Sequence, residues 1–151
     1  MTAPAAFERG TDGPRVILVG VDGSPTSLRA AAYAAGLARR QRSRLVAVFV
    51  AEPAPPMSGW VPTAGALARE AAAQVDAELR SEVGPAAERL GLEVEYRTAH
   101  GDPVVELSRI ADELPADAVL VGASEQAGHR VIGSVAVRLV RQGRWPVTVV
   151  P

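Results

Sequence analysis

The sequence contains no cysteine, and all 16 of its basic residues are arginine. Without cysteine there is no disulfide, no thiolate metal site and no cysteine nucleophile. Without lysine there is no P-loop, because that motif uses a lysine to hold the phosphates of its nucleotide. The two histidines, His100 and His129, lie far apart and lack the spacing of a metal-binding pair. These absences remove several large classes of enzyme and metalloprotein.

The sequence also lacks an excess of charge of either sign and a long apolar run. The formal net charge is −1, so no general attraction to nucleic acid or to anionic membranes is expected. No apolar run approaches the roughly 20 residues of a membrane span, and the first residues lack a signal-peptide pattern. We therefore expect a soluble cytoplasmic protein with neither nucleic acid nor membrane as a partner.

The length of 151 residues suits one domain with a substantial core. Residues 1–14 are polar and rich in glycine and proline, and they are predicted to form a disordered tail. Residues 15–151 are predicted to form the domain.

Five segments are predicted to be strands: 15–21, 44–50, 92–98, 118–121 and 147–150. Most are apolar runs, whereas 92–98 alternates apolar and charged residues, which suggests a sheet edge exposed on one side. The strands alternate with four segments of helical periodicity. Such alternation predicts an α/β fold, a single doubly wound domain with a parallel sheet and helices on both faces. In open sheets of this kind, ligands bind beyond the carboxyl ends of the strands, where the strand order reverses. Asp22 and Gly122 end the first and fourth strands and mark that place.

Three helix starts carry capping residues. Ser24 before Pro25, and Asp102 before Pro103, are predicted N-caps with proline at the first helical position. Ser134 is the predicted N-cap of the last helix.

Two further segments are less regular. The proline-rich residues 51–63 are predicted to be a loop, either a stiff surface connection or a lid over a site at the strand ends. A helix is predicted over 64–83, and Pro85 is expected to kink or interrupt it.

The stretch 118–151 combines a buried strand, Gly122, a short loop and the helix that begins near Ser134. A glycine loop that leads into a helix N-terminus offers backbone N–H groups to a phosphate. The alternative is a capped helix with no ligand, and the residues by themselves leave both open.

The sequence resembles the universal stress protein family from about residue 15 to residue 151. The matching motifs are VGVDGS at 19–24, FVAEP at 49–53, GDP at 101–103, AVLVG at 118–122, GSV at 133–135 and WPVTVV at 145–150. The resemblance implies the strand order 3-2-1-4-5 in a fold like that of the adenine nucleotide alpha hydrolases. It also implies dimers, often formed through the last strand, which here runs from Val147 to Val150.

One branch of the family binds ATP through a Gly-x2-Gly-x9-Gly-Ser/Thr motif. Carried over by position, Asp22 and Val50 would face adenosine, and the glycine loop with the helix start would face ribose and phosphates. The resemblance thus implies ATP as a ligand, with Mg²⁺ left open. The implied binding residues are Asp22, Val50, Gly122, Ala123, Arg130, Gly133, Ser134 and Val135.

The sequence departs from that motif in its middle. Glu125 stands where the second glycine is expected, and the loop between Gly122 and Gly133 is two residues short. A carboxylate about 4 Å from a phosphate would repel it by about 4 kcal/mol per unit pair at an effective dielectric of 20. Micromolar binding supplies only about 8 kcal/mol. Gly128 and Arg130 could offset this, the first through flexibility and the second by meeting phosphate oxygens.

Two functions of different classes follow. The first is an adenine-nucleotide-binding stress or signalling protein that acts as a dimer. The second is a nucleotide-independent dimeric interaction protein whose shortened loop has closed the site. An enzyme is disfavoured because no general base is placed for in-line attack, so ATP hydrolysis is expected to be absent or slow.

Overall fold

The computed structural model describes residues 14–53, 62–126 and 129–151, and for residues 62, 125, 126 and 129–131 it describes the backbone only. The predicted disordered tail, except for Pro14, lies outside the described residues. The centre of the predicted 51–63 loop also lies outside the described residues. Whether this loop is a surface connection or a lid stays a prediction.

Five parallel strands form the main sheet: β1 Val16–Val21, β2 Arg44–Ala51, β3 Val94–His100, β4 Ala118–Gly122 and β7 Val147–Val150. Four helices connect them: α1 Pro25–Gln41, α2 Pro62–Leu90, α3 Pro103–Glu113 and α4 Ser134–Gln142. The strand order is β3-β2-β1-β4-β7, which confirms the expected 3-2-1-4-5 order of a doubly wound sheet. The order reverses between β1 and β4, where a cleft at the carboxyl edge is expected.

The centre of the sheet is buried on both faces, as its continuous apolar runs predict. Leu18 of β1 packs into a cluster with α3 and α4 on one face. Its neighbour Val19 packs with the small residues Ala30, Ala34 and Ala38 of α1 on the other face. Successive strand residues point to opposite faces, so this single strand anchors both halves of the core.

Helix α2 differs from its prediction. It runs without interruption from Pro62 to Leu90, with Pro85 inside it. The predicted interruption at Pro85 is therefore wrong. Both Gly84 and Pro85 are exposed, so water can replace the backbone hydrogen bond that proline cannot donate.

The short segment between β4 and α4 was expected to be a loop, and the structure places a small antiparallel hairpin there. Its strands are β5 Ser124–Gln126 and β6 His129–Val131. The backbone register sets residue 125 opposite residue 130. The shortened segment thus has regular structure of its own beside the strand ends.

Within the described residues, no helix combines the length and the hydrophobicity that a membrane crossing requires.

Candidate functional site

The main cleft lies beyond the carboxyl ends of β1, β2 and β4 and has a volume of about 650 Å³. Seven of the eight implied binding residues line it: Asp22, Val50, Gly122, Ala123, Gly133, Ser134 and Val135. The eighth, Arg130, has its backbone in β6, and its side chain lies outside the described part of the structure. The topology therefore brings three separate stretches of sequence to one opening.

The start of α1 forms one wall of the main cleft. Ser24 is the N-cap, as predicted, and its hydroxyl accepts a hydrogen bond from the Ser27 N–H at 3.2 Å. The Asp22 carboxylate accepts a bond from the Ser24 N–H at 2.8 Å. The Ser27 hydroxyl accepts from the Asp22 N–H and donates to the Ser24 carbonyl. Each of these bonds stays inside the turn.

The same turn sets the charge state of Asp22. Partial burial raises the pKa of this carboxyl, but hydrogen bonds from the side chain and backbone of Ser24, the side chain of Ser27 and the backbone of Asp22 outweigh it, and the pKa is lowered. Asp22 is therefore a carboxylate at neutral pH. A carboxylate suits hydroxyl groups or a metal ion better than it suits a phosphate.

The start of α4 forms the opposite wall, and here one prediction is wrong. Gly133 is the N-cap, and Ser134 is the first helical residue, so the Ser134 hydroxyl does not cap this helix. The first intrahelical bond runs from the Val137 N–H to the Gly133 carbonyl at 3.1 Å. The N–H groups of Ser134, Val135 and Ala136 precede that bond and have no acceptor within the helix. All three residues line the main cleft.

Gly122 has a steric role that sequence reasoning did not identify. A Cβ at this position would lie 2.5 Å from the Thr26 carbonyl carbon and 2.6 Å from the Ser27 nitrogen. The end of β4 therefore lies directly against the start of α1. The neighbouring Ala123 lines the cleft, but its N–H already donates to the Val150 carbonyl at 2.7 Å. Gly122 and Ala123 therefore shape the cleft, but the structure shows no free backbone N–H on either residue that a ligand could use.

Gly133 allows a second close approach. A Cβ on Gly133 would lie 3.0 Å from the Cβ of Ser124, at the base of the β5–β6 hairpin. The two ends of the shortened segment therefore meet beside the cleft. The predicted repulsion by the Glu125 side chain and the predicted phosphate contact of Arg130 both concern side chains outside the described part of the structure.

The start of α3 lies beside the same cleft and is closed. Asp102 caps it, as predicted, and accepts a bond from the Val105 N–H at 3.0 Å. The same carboxylate receives both guanidinium N–H groups of Arg138, at 2.9 and 3.0 Å. The Arg138 bonds, followed by that of Val105, lower the pKa of Asp102. This link between α3 and α4 was missed, because two residues 36 positions apart give no local signal.

Comparison with known proteins supports the same family as the motifs. A family model described as the Universal stress protein family matches residues 14–151. "Universal stress protein MJ0531" from Methanocaldococcus jannaschii is 28% identical over 138 residues, which covers 89% of this chain and 80% of that protein.

Two solved structures share the architecture. Universal stress protein UspA from Lactobacillus plantarum superposes with a TM-score of 0.72 at 21% identity, over 91% of this chain and 97% of that one. A universal stress protein in complex with cAMP gives a TM-score of 0.69 at 27% identity, also over 91% and 97%. The first likeness concerns the fold, and the second adds a relative whose structure holds an adenine nucleotide.

Proposed function

Because the chain belongs to the Universal stress protein family, we propose that its main cleft binds an adenine nucleotide, with ATP as the ligand that the motifs favour. The related structure with cAMP supports an adenine nucleotide as the class of ligand. The nucleotide serves as a signal whose occupancy alters the dimer or its partners.

The observation that carries this proposal is the open start of α4 opposite a closed, acidic start of α1. Three backbone N–H groups at the positive end of a helix dipole form a site that suits a phosphate. Across the cleft, Asp22 and the end of β2 at Val50 supply a carboxylate and a half-buried wall. The two ends of the cleft thus match the two ends of a nucleotide, with its phosphates at α4 and its adenosine at β1 and β2.

A magnesium ion bound with the nucleotide would need few ligands from the protein. Mg²⁺ in nucleotide sites is held by one or two carboxylates and by the phosphates, and Asp22 is the carboxylate at the end of β1 in this cleft. Mg²⁺ would neutralise part of the phosphate charge. We expect any ATP hydrolysis to be slow because no general base has been identified for the attacking water.

The test is calorimetric titration of ATP with Mg²⁺, and in parallel of AMP, cAMP and adenosine, into protein stripped of bound ligand. We expect ATP to bind with about micromolar affinity, equivalent to about 8 kcal/mol, and adenosine to bind more weakly because it cannot reach α4. Equal affinity for ATP and adenosine would contradict the placement of phosphates at α4.

No heat with any nucleotide, together with no thermal stabilisation, would overturn the proposal. It would favour the second function, a nucleotide-independent dimeric interaction protein whose β5–β6 segment has closed the site.

We also propose a homodimer through β7, because the two edges of the sheet differ. At the β3 edge, Arg97 pairs with Glu95 of the same strand and with Glu113 of α3. Charged side chains of this kind discourage pairing with another strand. At the other edge, β7 has the sequence VTVV and carries no charge. Light scattering at micromolar concentration should give twice the chain mass, and a clean monomer would contradict this.

A further inference from the structure

A second cavity, which we call the side compartment, lies at the carboxyl ends of β2 and β3 under α2. Its volume is about 360 Å³. It shares Phe49, Ala51, Glu52 and Ala72 with the main cleft, so the two spaces are neighbours across one wall. In the order β3-β2-β1-β4-β7, the side compartment is on the far side of β2 from the α4 start.

The floor of the side compartment is apolar and made of small residues apart from one ring. Phe49 is 5% exposed, and Ala72 and Ala73 come from successive positions of α2. Such a floor suits a short aliphatic group rather than a long chain or a second base.

Opposite charges line the side compartment without pairing. Arg69 of α2 and Glu52 after β2 both border it, and neither side chain has an ion pair or a hydrogen bond within the described residues. The same holds for His100 at the end of β3.

The remaining acid in the side compartment, Asp76, is already engaged. Its Oδ1 accepts hydrogen bonds from the Tyr96 hydroxyl and from the Thr98 hydroxyl, each at 2.7 Å. Arg80 donates to the Thr98 hydroxyl at 2.7 Å and lies over the Tyr96 ring at 4.8 Å. Asp76 therefore belongs to a network that joins α2 to β3, whereas Arg69 and Glu52, which are both exposed, have no partner within the described residues.

We propose that the side compartment binds a small zwitterion of the α-amino acid class with a short aliphatic side chain. Its carboxylate faces Arg69, with His100 as a second donor, because guanidinium groups match carboxylates in bidentate geometry. Its ammonium group faces Glu52, and its methyl or similar group lies on Phe49, Ala72 and Ala73. A molecule that carries both charges can pair with both Arg69 and Glu52. A simple anion would pair with Arg69 only, and its negative charge would lie near the Glu52 carboxylate.

The test is a two-dimensional ¹H–¹⁵N NMR titration of the nucleotide-free protein with three probes of nearly equal size. L-alanine carries both charges, propionate lacks the ammonium group and ethylamine lacks the carboxylate. We expect L-alanine to give saturable shifts of the amides of Ala73, Thr98, His100 and Gly101, and propionate and ethylamine to bind about tenfold more weakly. A tenfold change is the size expected for one charged contact at a partly exposed site.

Two variants and a control assign the contacts. Arg69→Gln and Glu52→Gln should each weaken L-alanine binding about tenfold. Arg89→Gln, an exposed arginine near the other end of α2, should leave it unchanged. The shift map of each variant without probe reports whether it is folded.

Three results would overturn the proposal: no saturable shift with L-alanine, equal binding of propionate and L-alanine, or an unaltered affinity in Arg69→Gln. Because no nucleotide is present, these outcomes do not depend on whether the main cleft binds ATP.

Discussion

Two helix starts face each other across the main cleft, and they differ in how many of their first backbone N–H groups have a hydrogen-bond acceptor. At α1 the first helical residue is Pro25, which has no N–H, and the Ser24 hydroxyl accepts the N–H of Ser27. At α4 the N-cap is Gly133, which has no side chain, and the first helical residue is Ser134. Two of the first three backbone N–H groups of α1 are therefore removed or satisfied, whereas the first three of α4 have no acceptor within the helix.

Under the proposed function, the capped helix starts give structural support and the uncapped start of α4 binds the ligand. Ser-Pro at α1 and Asp-Pro at α3 each remove one early donor through proline and satisfy another through the capping side chain. Gly-Ser at α4 makes no side-chain cap hydrogen bond, and an uncapped helix start of this kind suits an anion.

Gly122→Ala should have the largest effect. The added Cβ would lie 2.5–2.7 Å from backbone atoms of Thr26 and Ser27, which cannot rotate away. The start of α1 or the end of β4 must shift, and we expect a loss of about 3 kcal/mol in the free energy of unfolding, measured by urea denaturation.

Gly36→Ala is the matched control for that substitution. Gly36 lies inside α1, and a Cβ there would meet nothing within 4 Å. Alanine should raise the free energy of unfolding by about 1 kcal/mol because it is the better helix former. Wild-type stability of Gly122→Ala would contradict the close approach of β4 and α1.

Ser134→Ala tests the start of α4 by removing the Ser134 hydroxyl, which lines the main cleft beside the three backbone N–H groups and which we expect to donate to a phosphate. We expect ATP affinity to fall about tenfold, the size of a lost hydrogen bond to a charged group, with the free energy of unfolding within about 0.5 kcal/mol of wild type. Adenosine affinity should not change, which calorimetry can check. Gly133→Ala is a poorer test, since its Cβ would lie 3.0 Å from that of Ser124.

Ser24→Ala tests the closed start of α1 and should give the reverse pattern. Loss of the cap should lower the free energy of unfolding by about 1 kcal/mol, as measured by urea denaturation. The ratio of ATP to adenosine affinity should stay at the wild-type value. If Ser24→Ala changed this ratio as much as Ser134→Ala does, the proposed division between the two helix starts would be wrong.

Asp22→Asn should have the smallest effect, visible in the pH dependence of stability. Because the pKa of Asp22 is lowered in the folded protein, its carboxylate stabilises the fold above the unfolded pKa of about 4. That contribution is lost as the pH falls through the lower folded pKa. The variant should lose less stability than wild type between about pH 4 and pH 2, as followed by urea denaturation in the absence of ligand. Identical pH profiles would show that Asp22 does not stabilise the α1 turn.

Much of the fold was predictable because its signals are local. Apolar runs such as that of β1 and the Ser-Pro and Asp-Pro helix starts predicted the elements, and their alternation predicted the parallel sheet. The interruption at Pro85 failed because the helix exposes this proline and its neighbour to water. The β5–β6 hairpin was missed because three-residue strands are too short to show a period.

Periodicity predicted the strands and helices, because it is a property of neighbouring residues. The motifs indicated the family, and the resemblance to that family implied the strand order and the residues expected at the carboxyl edge. Only the tertiary structure decided what those residues do. Gly122 proved to be a packing requirement, and the N–H of Ala123 proved to be used by β7. Arg69 and Glu52 were brought to one cavity from different elements. Each of these depends on atoms that are distant in sequence and adjacent in space, which no local pattern encodes.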